Sequence, residues 1–122
     1  MHDYHNYPPP IMQRADLFGK SQAVVLGEYG GLGLPIEGHT WQNKANWGYQ
    51  SFKNADSLLI QYSNFVSLLE DFIPKGLSAA IYTQVSDVEG EVNGLMTYGR
   101  KLIKMPVDKL YKINSRVYKS LR

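Results

Sequence analysis

The amino-acid sequence predicts an α/β fold built on a small parallel sheet, and two kinds of segment lead to that prediction. Residues 23–27 and 77–84 are short apolar runs, a pattern typical of strands that are covered on both faces. Segments whose apolar residues recur at steps of three and four, as in helices, follow these runs. Because alternating strands and helices form right-handed crossovers, we expect the two strands to be parallel.

The segments around the first strand are predicted to be mainly loop. Three consecutive prolines at 8–10 exclude a helix or a sheet interior and favour a stiff extended loop, with a further strand before residue 8 left open. Residues 13–20 can form a short helix that ends near Gly19. Residues 30–54 form a loop rich in Gly, Asn and Trp, which is too long to be inert in a compact domain.

Two amphipathic helices are predicted. The first runs from about Asn54 to Phe72 and is stopped by Pro74 and Gly76. Its apolar stripe consists of Leu58, Tyr62, Phe65, Leu69 and Phe72. After a turn-rich stretch at 86–99, the second helix begins near Val107. Its stripe consists of Val107, Leu110, Ile113, Val117 and Leu121. Two or three parallel strands leave two open sheet edges, so we expect either pairing with another chain or membership of a larger fold.

The composition is that of a single globular domain. The 122 residues are 43% hydrophobic and 20% charged, and the net charge of +2 is too small to indicate nucleic-acid binding. Basic residues cluster in the last 23 positions, where a solvated helix face is the favoured interpretation over a phosphate-binding surface. They are Arg100, Lys101, Lys104, Lys109, Lys112, Arg116, Lys119 and Arg122. No apolar stretch approaches the ~20 residues of a membrane span, so no membrane partner is expected.

Neither cysteines nor the N-terminus assigns a compartment. The chain has no cysteine, which excludes disulfides and thiolate chemistry. Met1 is followed by neither a basic start nor an apolar core, so we expect no signal peptide here. Nine tyrosines and two tryptophans supply flat faces with polar edges, which suit a sugar or an aromatic ligand. Trp41 and Trp47, in the long loop, can pack either on the domain or on a ligand.

Glu28 is the first candidate functional residue, because it follows the first apolar run directly. The carboxyl ends of parallel strands are where α/β folds place their sites, and nearby glycines allow close approach of a ligand. The residues alone leave two interpretations open: a catalytic or binding carboxylate, or an acid that only caps the loop. The glycine spacing fits neither a dinucleotide fingerprint nor a P-loop.

Metal, calcium and serine chemistry find little support. His2, Asp3, His5 and His39 could be metal ligands, but they lack helical i, i+4 spacing, so no metal is predicted. The acids at 87, 89 and 91 do not have the spacing of a calcium-binding EF-hand loop, and a polar loop is favoured. The nucleophile motif G-x-S-x-G is missing from the sequence. We therefore expect no cofactor.

Two segments carry a resemblance to a known family. "VVLGEYGGLGLPIEGHTW" and, about 40 residues later, "GLSAAIYTQVSDVEGEVNGLMTYGRKLIKMP" resemble the C-terminal part of the catalytic (β/α)8 barrel of family 2 glycoside hydrolases. This is the β-galactosidase and β-glucuronidase group, and the similarity is closest to a bacterial β-galactosidase-like branch. The resemblance implies that residues 1–122 form a partial TIM barrel, with strands six to eight and their flanking helices.

The resemblance also implies roles for individual residues. Glu28, in "GEYGG", matches the nucleophile of the family. Tyr4 matches an aromatic residue whose hydroxyl reaches that nucleophile, with His5 beside it, and Tyr82 matches an aromatic residue of the sugar pocket. Aromatic and polar residues near strand ends and in the long loop complete the expected substrate-binding set, namely Tyr29, His39, Trp41 and Gln84.

The sequence departs from the family at two positions. Gly31 replaces a histidine that some members carry, and Gly99 stands where an aspartate is expected. The family's acid/base glutamate has no counterpart here, although Glu37 and Glu89 lie on loops. The expectation is therefore part of a retaining β-glycosidase that carries the nucleophile only, from a periplasmic or secreted bacterial parent, with the isolated chain inactive.

Two alternatives of other classes stay open. One is a non-catalytic carbohydrate-binding domain in which Glu28 only accepts hydrogen bonds. The other is an α/β module that self-associates. The expected partners are a β-glycoside substrate and either a second copy, through exposed sheet edges or helix faces, or the rest of the barrel.

Overall fold

The computed structural model describes residues 1–17, 19–119 and 121. The described residues form a mixed α/β fold with two open parallel sheets and two α-helices. In chain order the elements are β1 (His2–His5), a 3-10 turn (Ala15–Leu17), β2 (Val24–Gly30), β3 (Leu32–Gly33), β4 (Gln50–Ser51), α1 (Ala55–Phe72), a 3-10 turn (Ile73–Lys75), β5 (Leu77–Thr83) and α2 (Val107–Lys119).

The larger sheet has three strands in the order β1-β2-β5, and both pairings are parallel. This confirms the expected parallel α/β arrangement, and β1 is the third strand that the sequence left open. His5 is opposite Glu28, and Gly30 is opposite Thr83. The carboxyl ends of all three strands therefore lie along the same edge.

Helix α1 covers one face of this sheet and has the bounds that its apolar periodicity predicts. The Asn54 side chain caps its start by accepting a hydrogen bond from the Ser57 backbone N–H at 2.9 Å. Its stripe packs on Leu26 and Tyr29 of β2 in the main hydrophobic core. After α1, Gly76 adopts a φ of 106°, which ends the short 3-10 turn.

Helix α2 packs on α1 rather than directly on the sheet. The Tyr62 hydroxyl of α1 donates to Asn114 Oδ1 at 2.9 Å, and Arg116 of α2 pairs with Glu70. The buried part of α2 is narrower than predicted, because Val107 and Leu121 are mostly exposed. No helix among residues 1–17, 19–119 and 121 is both long and apolar enough to cross a membrane.

Three predicted boundaries need correction. The short helix at 13–20 is a single 3-10 turn over Ala15–Leu17, and Phe18 lies outside the described residues. The strand predicted at 23–27 is β2, which runs from Val24 to Gly30 and therefore includes Glu28 near its carboxyl end. The loop at 30–54 contains β3 and β4, which pair in parallel and join the two ends of the loop to each other. Short strands of two residues carry too little periodicity to be read from sequence.

The basic residues near the C-terminus do not all lie on a solvated helix face, which corrects the expectation for this cluster. Lys104 is buried, and its Nζ donates to Asp87 Oδ1 at 2.6 Å and to the Val92 carbonyl at 2.8 Å. Asp87 Oδ1 also accepts the Gly94 N–H at 2.8 Å. Burial lowers the pKa of Lys104, and the bond to Asp87 opposes that effect. Asp87 is thus the partner of a buried cation, whereas Arg122 of the cluster lies outside the described residues.

Candidate active site

Parallel pairing brings three polar side chains together where the carboxyl ends of β1, β2 and β5 meet, which we call the carboxyl edge of the sheet. His5 ends β1, Glu28 lies near the end of β2, and Thr83 ends β5. Tyr7 follows β1 by two residues, where its peptide bond to Pro8 is cis and Gly30 N–H donates to the Pro8 carbonyl at 2.9 Å. This bond holds the proline loop against β2, which places the Tyr7 ring over the edge.

The Tyr7 hydroxyl links Glu28 to Thr83. It donates a hydrogen bond to Glu28 Oε2 and lies 3.0 Å from Thr83 Oγ1. A phenol has one proton and a carboxylate can only accept, so the Thr83 hydroxyl is the donor in the second bond. Tyr7 therefore ties strands β2 and β5 together through their side chains.

Tyr7 keeps its proton at neutral pH. Burial first, and the hydrogen bond to Glu28 second, raise the pKa of Tyr7 to about 12, while the bond from Thr83 lowers it. The neutral phenol is the form that can donate to a carboxylate. The group beside Glu28 is consequently a fixed donor across the physiological range.

The two oxygens of Glu28 have different surroundings. Oε2 accepts the bond from Tyr7 and lies 3.6 Å from His5 Nδ1. Among the described residues, Oε1 accepts no hydrogen bond. The Glu28 side chain is 45% exposed, so an incoming group can approach the carboxylate.

Aromatic rings line one side of the edge. Tyr49 stacks on Tyr7 with ring centroids 4.0 Å apart and an angle of 9° between the rings, and Trp47 meets Tyr49 edge-on at 5.6 Å. Gly31 permits this approach, because a Cβ there would lie 2.4 Å from Tyr49 Cδ2. These rings form a partly exposed aromatic wall next to Glu28, which we call the Tyr7–Tyr49–Trp47 wall.

Tyr7, and not Tyr4, is the tyrosine whose hydroxyl bonds to Glu28. Tyr4 is 7% exposed and its hydroxyl donates to the Ile11 carbonyl at 2.8 Å, whereas Tyr7 is the tyrosine bonded to Glu28. The reason is the alternation of side chains along β1, since Tyr4 faces the core while Asp3 and His5 face the opposite side. His5, expected beside the nucleophile, does lie next to Glu28.

Tyr29 and Tyr82 are also placed away from Glu28. They are opposite each other in the β2–β5 register, and Tyr29 packs on Phe65 of α1. Their rings meet edge-on at 5.5 Å, and Tyr82 also contacts Tyr62. Burial raises the pKa of both hydroxyls well above the usual range. Both tyrosines thus lie on the helix-facing side of the sheet, and their role in substrate binding stays a prediction.

The remaining predicted site residues lie on the surrounding loops. Trp41 is 63% exposed and meets Tyr98 edge-on at 5.5 Å. Gln84 follows a cis peptide bond after Thr83, and its amide donates to Asn93 Oδ1 at 2.9 Å. His39 is partly buried, and its N–H donates to the Ile36 carbonyl at 2.9 Å. No described hydrogen bond or ion pair joins these three side chains to Glu28.

The sequence interpretation missed Tyr7, Thr83 and Tyr49. The sequence does contain a signal for Tyr7. Asp3 and His5 alternate along the side of β1 that faces Glu28, and position 7, two residues after the strand, continues that alternation. Tyr49 has no such signal, since its position depends on the pairing of β3 with β4. Across residues 1–17, 19–119 and 121, no group of three or more His, Asp or Glu side chains is arranged to bind a metal.

Comparison with known proteins adds no assignment. No protein-family model matches the chain, and no curated protein matches its sequence.

Proposed function

We propose that this chain is part of a retaining β-glycosidase of the β-galactosidase-like kind, with Glu28 as the nucleophile and the acid/base supplied from outside residues 1–122. One observation carries the proposal. Glu28 lies near the carboxyl end of a strand in a parallel sheet, the Tyr7 hydroxyl donates to its Oε2, and its side chain is 45% exposed. A partly exposed carboxylate that is held through one oxygen suits in-line attack through the other.

In this mechanism Glu28 Oε1 attacks the anomeric carbon of a β-glycoside and the bond to the leaving oxygen breaks. A glycosyl ester forms on Glu28, and water then cleaves it. Tyr7 remains a neutral donor to Oε2 throughout, which orients the carboxylate. The Tyr7–Tyr49–Trp47 wall offers apolar surface on which the carbon–hydrogen face of a sugar ring can pack.

A second carboxylic acid about 5 to 5.5 Å from Glu28 is needed to protonate the leaving group. Glu37 and Glu89 are exposed, and no described contact joins either to Glu28. The proposal therefore assigns the acid to another part of the catalytic domain. In the same proposal β1, β2 and β5 are strands six to eight of a (β/α)8 barrel, an interpretation supported by their parallel order and by their two open edges.

An activated fluorosugar tests the nucleophile without the acid. A dinitrophenyl 2-deoxy-2-fluoro-β-galactoside has a leaving group that needs no proton, and the fluorine slows hydrolysis of the ester that forms. We expect mass spectrometry to find one fluorosugar on the peptide that contains Glu28. Glu28→Gln abolishes the label, whereas Glu37→Gln, at an exposed loop position, keeps it. A chain that stays unlabelled, or that is labelled elsewhere, contradicts the proposal.

Turnover of an unactivated substrate is the complementary test. A nitrophenyl β-galactoside should not be hydrolysed at a useful rate by the 122-residue chain, because the leaving group is not protonated. Robust hydrolysis would contradict the assignment of the acid/base to another part of the protein.

A second candidate function is favoured by the exposed aromatic residues. Trp41, Trp47 and Tyr49 are each about half exposed or more, which is unusual for large rings and fits a sugar-binding surface that needs no catalysis. In that case galactosides bind, but no ester forms on Glu28. Calorimetry with the Glu28→Gln variant separates the two, since unchanged binding together with an unlabelled wild-type chain favours the binding module.

A further inference from the structure

We propose that Asp3 and His5 form a second support for Glu28, in which His5 restrains Oε2 and Asp3 acts on Glu28 through His5. The inference rests on the proposed nucleophile and deepens it, because it states which oxygen reacts. With Oε2 engaged by both Tyr7 and His5, Oε1 is the atom that attacks the sugar.

The two ring nitrogens of His5 each face one carboxylate. Nδ1 lies 3.6 Å from Glu28 Oε2, and Nε2 lies 3.5 Å from Asp3 Oδ2. Both separations are ion-pair distances that are longer than a good hydrogen bond. The imidazole thus bridges the two acids, and its orientation is set by both of them.

Strand register explains why these three side chains meet. His5 is opposite Glu28 across the β1–β2 pair, and Asp3 is two residues earlier on the same side of β1. Because β1 lies directly against β2, the arrangement is built on two paired strands rather than on loops. Strand-borne groups hold their geometry better than loop-borne groups do.

Gly27 is the independent observation that this arrangement is built into the strand. A Cβ at position 27 would lie 2.2 Å from Asp3 Oδ1 and 3.0 Å from His5 Nε2. The φ of Gly27 is not in the left-handed region, so backbone conformation does not require glycine here. The close approach of the Asp3 and His5 side chains does. The open volume over residue 27 is the place that the Asp3 and His5 side chains occupy.

Asp3 is therefore a positioning residue, as is His5, and neither forms or breaks a bond with the substrate. Three groups with charge or titratable protons face the His5 ring and its partner oxygen: Asp3, Glu28 and Tyr7. The consequence of losing Asp3 is a misoriented imidazole and a less restrained carboxylate. The expected loss is in the rate of attack and not in the affinity for the sugar.

Labelling kinetics test this with a pair of matched variants. Asp3→Asn should lower the maximal rate of fluorosugar labelling about threefold to tenfold and leave the half-saturating concentration unchanged. His5→Asn keeps an N–H donor near the Nδ1 position but loses the nitrogen that faces Asp3, so its loss should be of similar size. Adding Asp3→Asn to His5→Asn should then change nothing further, since Asp3 acts through that nitrogen.

Ring-nitrogen resonances of His5 provide a readout that needs no substrate. Asp3→Asn should shift Nε2, Glu28→Gln should shift Nδ1, and His39 should move in neither variant. If the wild-type chain is not labelled, the proposed function fails, and the nitrogen shifts still decide whether His5 couples the two acids. The inference is overturned if neither nitrogen responds, or if Asp3→Asn slows labelling equally with and without His5.

Discussion

The Tyr7 hydroxyl, in the proline loop that follows β1, donates to Glu28 Oε2 on the neighbouring strand β2. The Gly30 N–H of β2 donates to the Pro8 carbonyl of the same loop. The same hydroxyl receives a bond from Thr83, so one side chain joins the carboxyl ends of β2 and β5. This relationship makes Tyr7 the residue whose removal should affect the candidate nucleophile most directly.

Tyr7→Phe removes the donor to Glu28 and keeps the ring that stacks on Tyr49. We expect the rate of fluorosugar labelling to fall about tenfold to a hundredfold, because the carboxylate is less well oriented. Tyr4→Phe is the matched control, since it removes the bond to the Ile11 carbonyl in the core. It should cost about 1 kcal/mol of unfolding free energy in urea and leave labelling unchanged. Equal labelling by both variants would contradict the role of Tyr7.

Alkaline pH should weaken the fold partly through Tyr7. Its pKa is raised from 10.0 to about 12 in the folded chain, so its stabilising effect is complete below pH 10 and is lost as the pH rises towards 12. Urea unfolding at several pH values measures this, and Tyr7→Phe should show a shallower decline over that window. Identical pH profiles for the two proteins would show that Tyr7 is not perturbed.

The buried pair of Lys104 and Asp87 should stabilise the loops around the site. Lys104→Met leaves the Asp87 carboxylate buried without its cation, which we expect to cost about 3 to 5 kcal/mol in urea unfolding. Lys101→Met, at an exposed position of the same basic cluster, should be almost neutral. The double variant with Asp87→Asn should be less destabilised than the two single effects added together, because no unpaired charge remains. Strict additivity would argue against the pair.

Gly31 should be necessary for the aromatic wall. Gly31→Ala introduces a Cβ 2.4 Å from Tyr49 Cδ2 at a φ of +72°, so both strain and a clash oppose it. Gly38→Ala, at a φ of +75° with open space around it, carries the strain alone. We expect Gly31→Ala to be at least about 1 kcal/mol more destabilising in urea unfolding. Equal losses of unfolding free energy in the two variants would show that the Tyr49 ring moves aside without cost.

The exposed edge of β5 should drive self-association of the isolated chain. Ile81 lies on this edge strand and is 56% exposed, and in the part of the chain that the structure describes no further strand pairs with β5. Ile81→Lys should lower the association constant in sedimentation equilibrium about tenfold, whereas Ile60→Lys on the exposed side of α1 should not. A wild-type chain that remains monomeric at high concentration would contradict this expectation.

Sequence patterns were sufficient for the parts of this fold that repeat over many residues. The spacing of apolar residues predicted where α1 begins and ends, and the alternation of strands and helices predicted the parallel sheet. The same patterns placed Glu28 near the carboxyl end of a buried strand. They could not find β3 and β4, because two residues are too few to show a period.

The tertiary structure alone decided which tyrosine contacts Glu28. The resemblance pointed to His5 and to Tyr4, Tyr29 and Tyr82, yet these three tyrosines face α1 and the core, and the hydroxyl that reaches Glu28 is that of Tyr7. Lys104 likewise resembles its basic neighbours in sequence and differs from them only by lying over Asp87. A linear pattern records the chemistry of each residue. Which side of a strand a residue occupies, and what lies across from it, is fixed by pairing between distant segments.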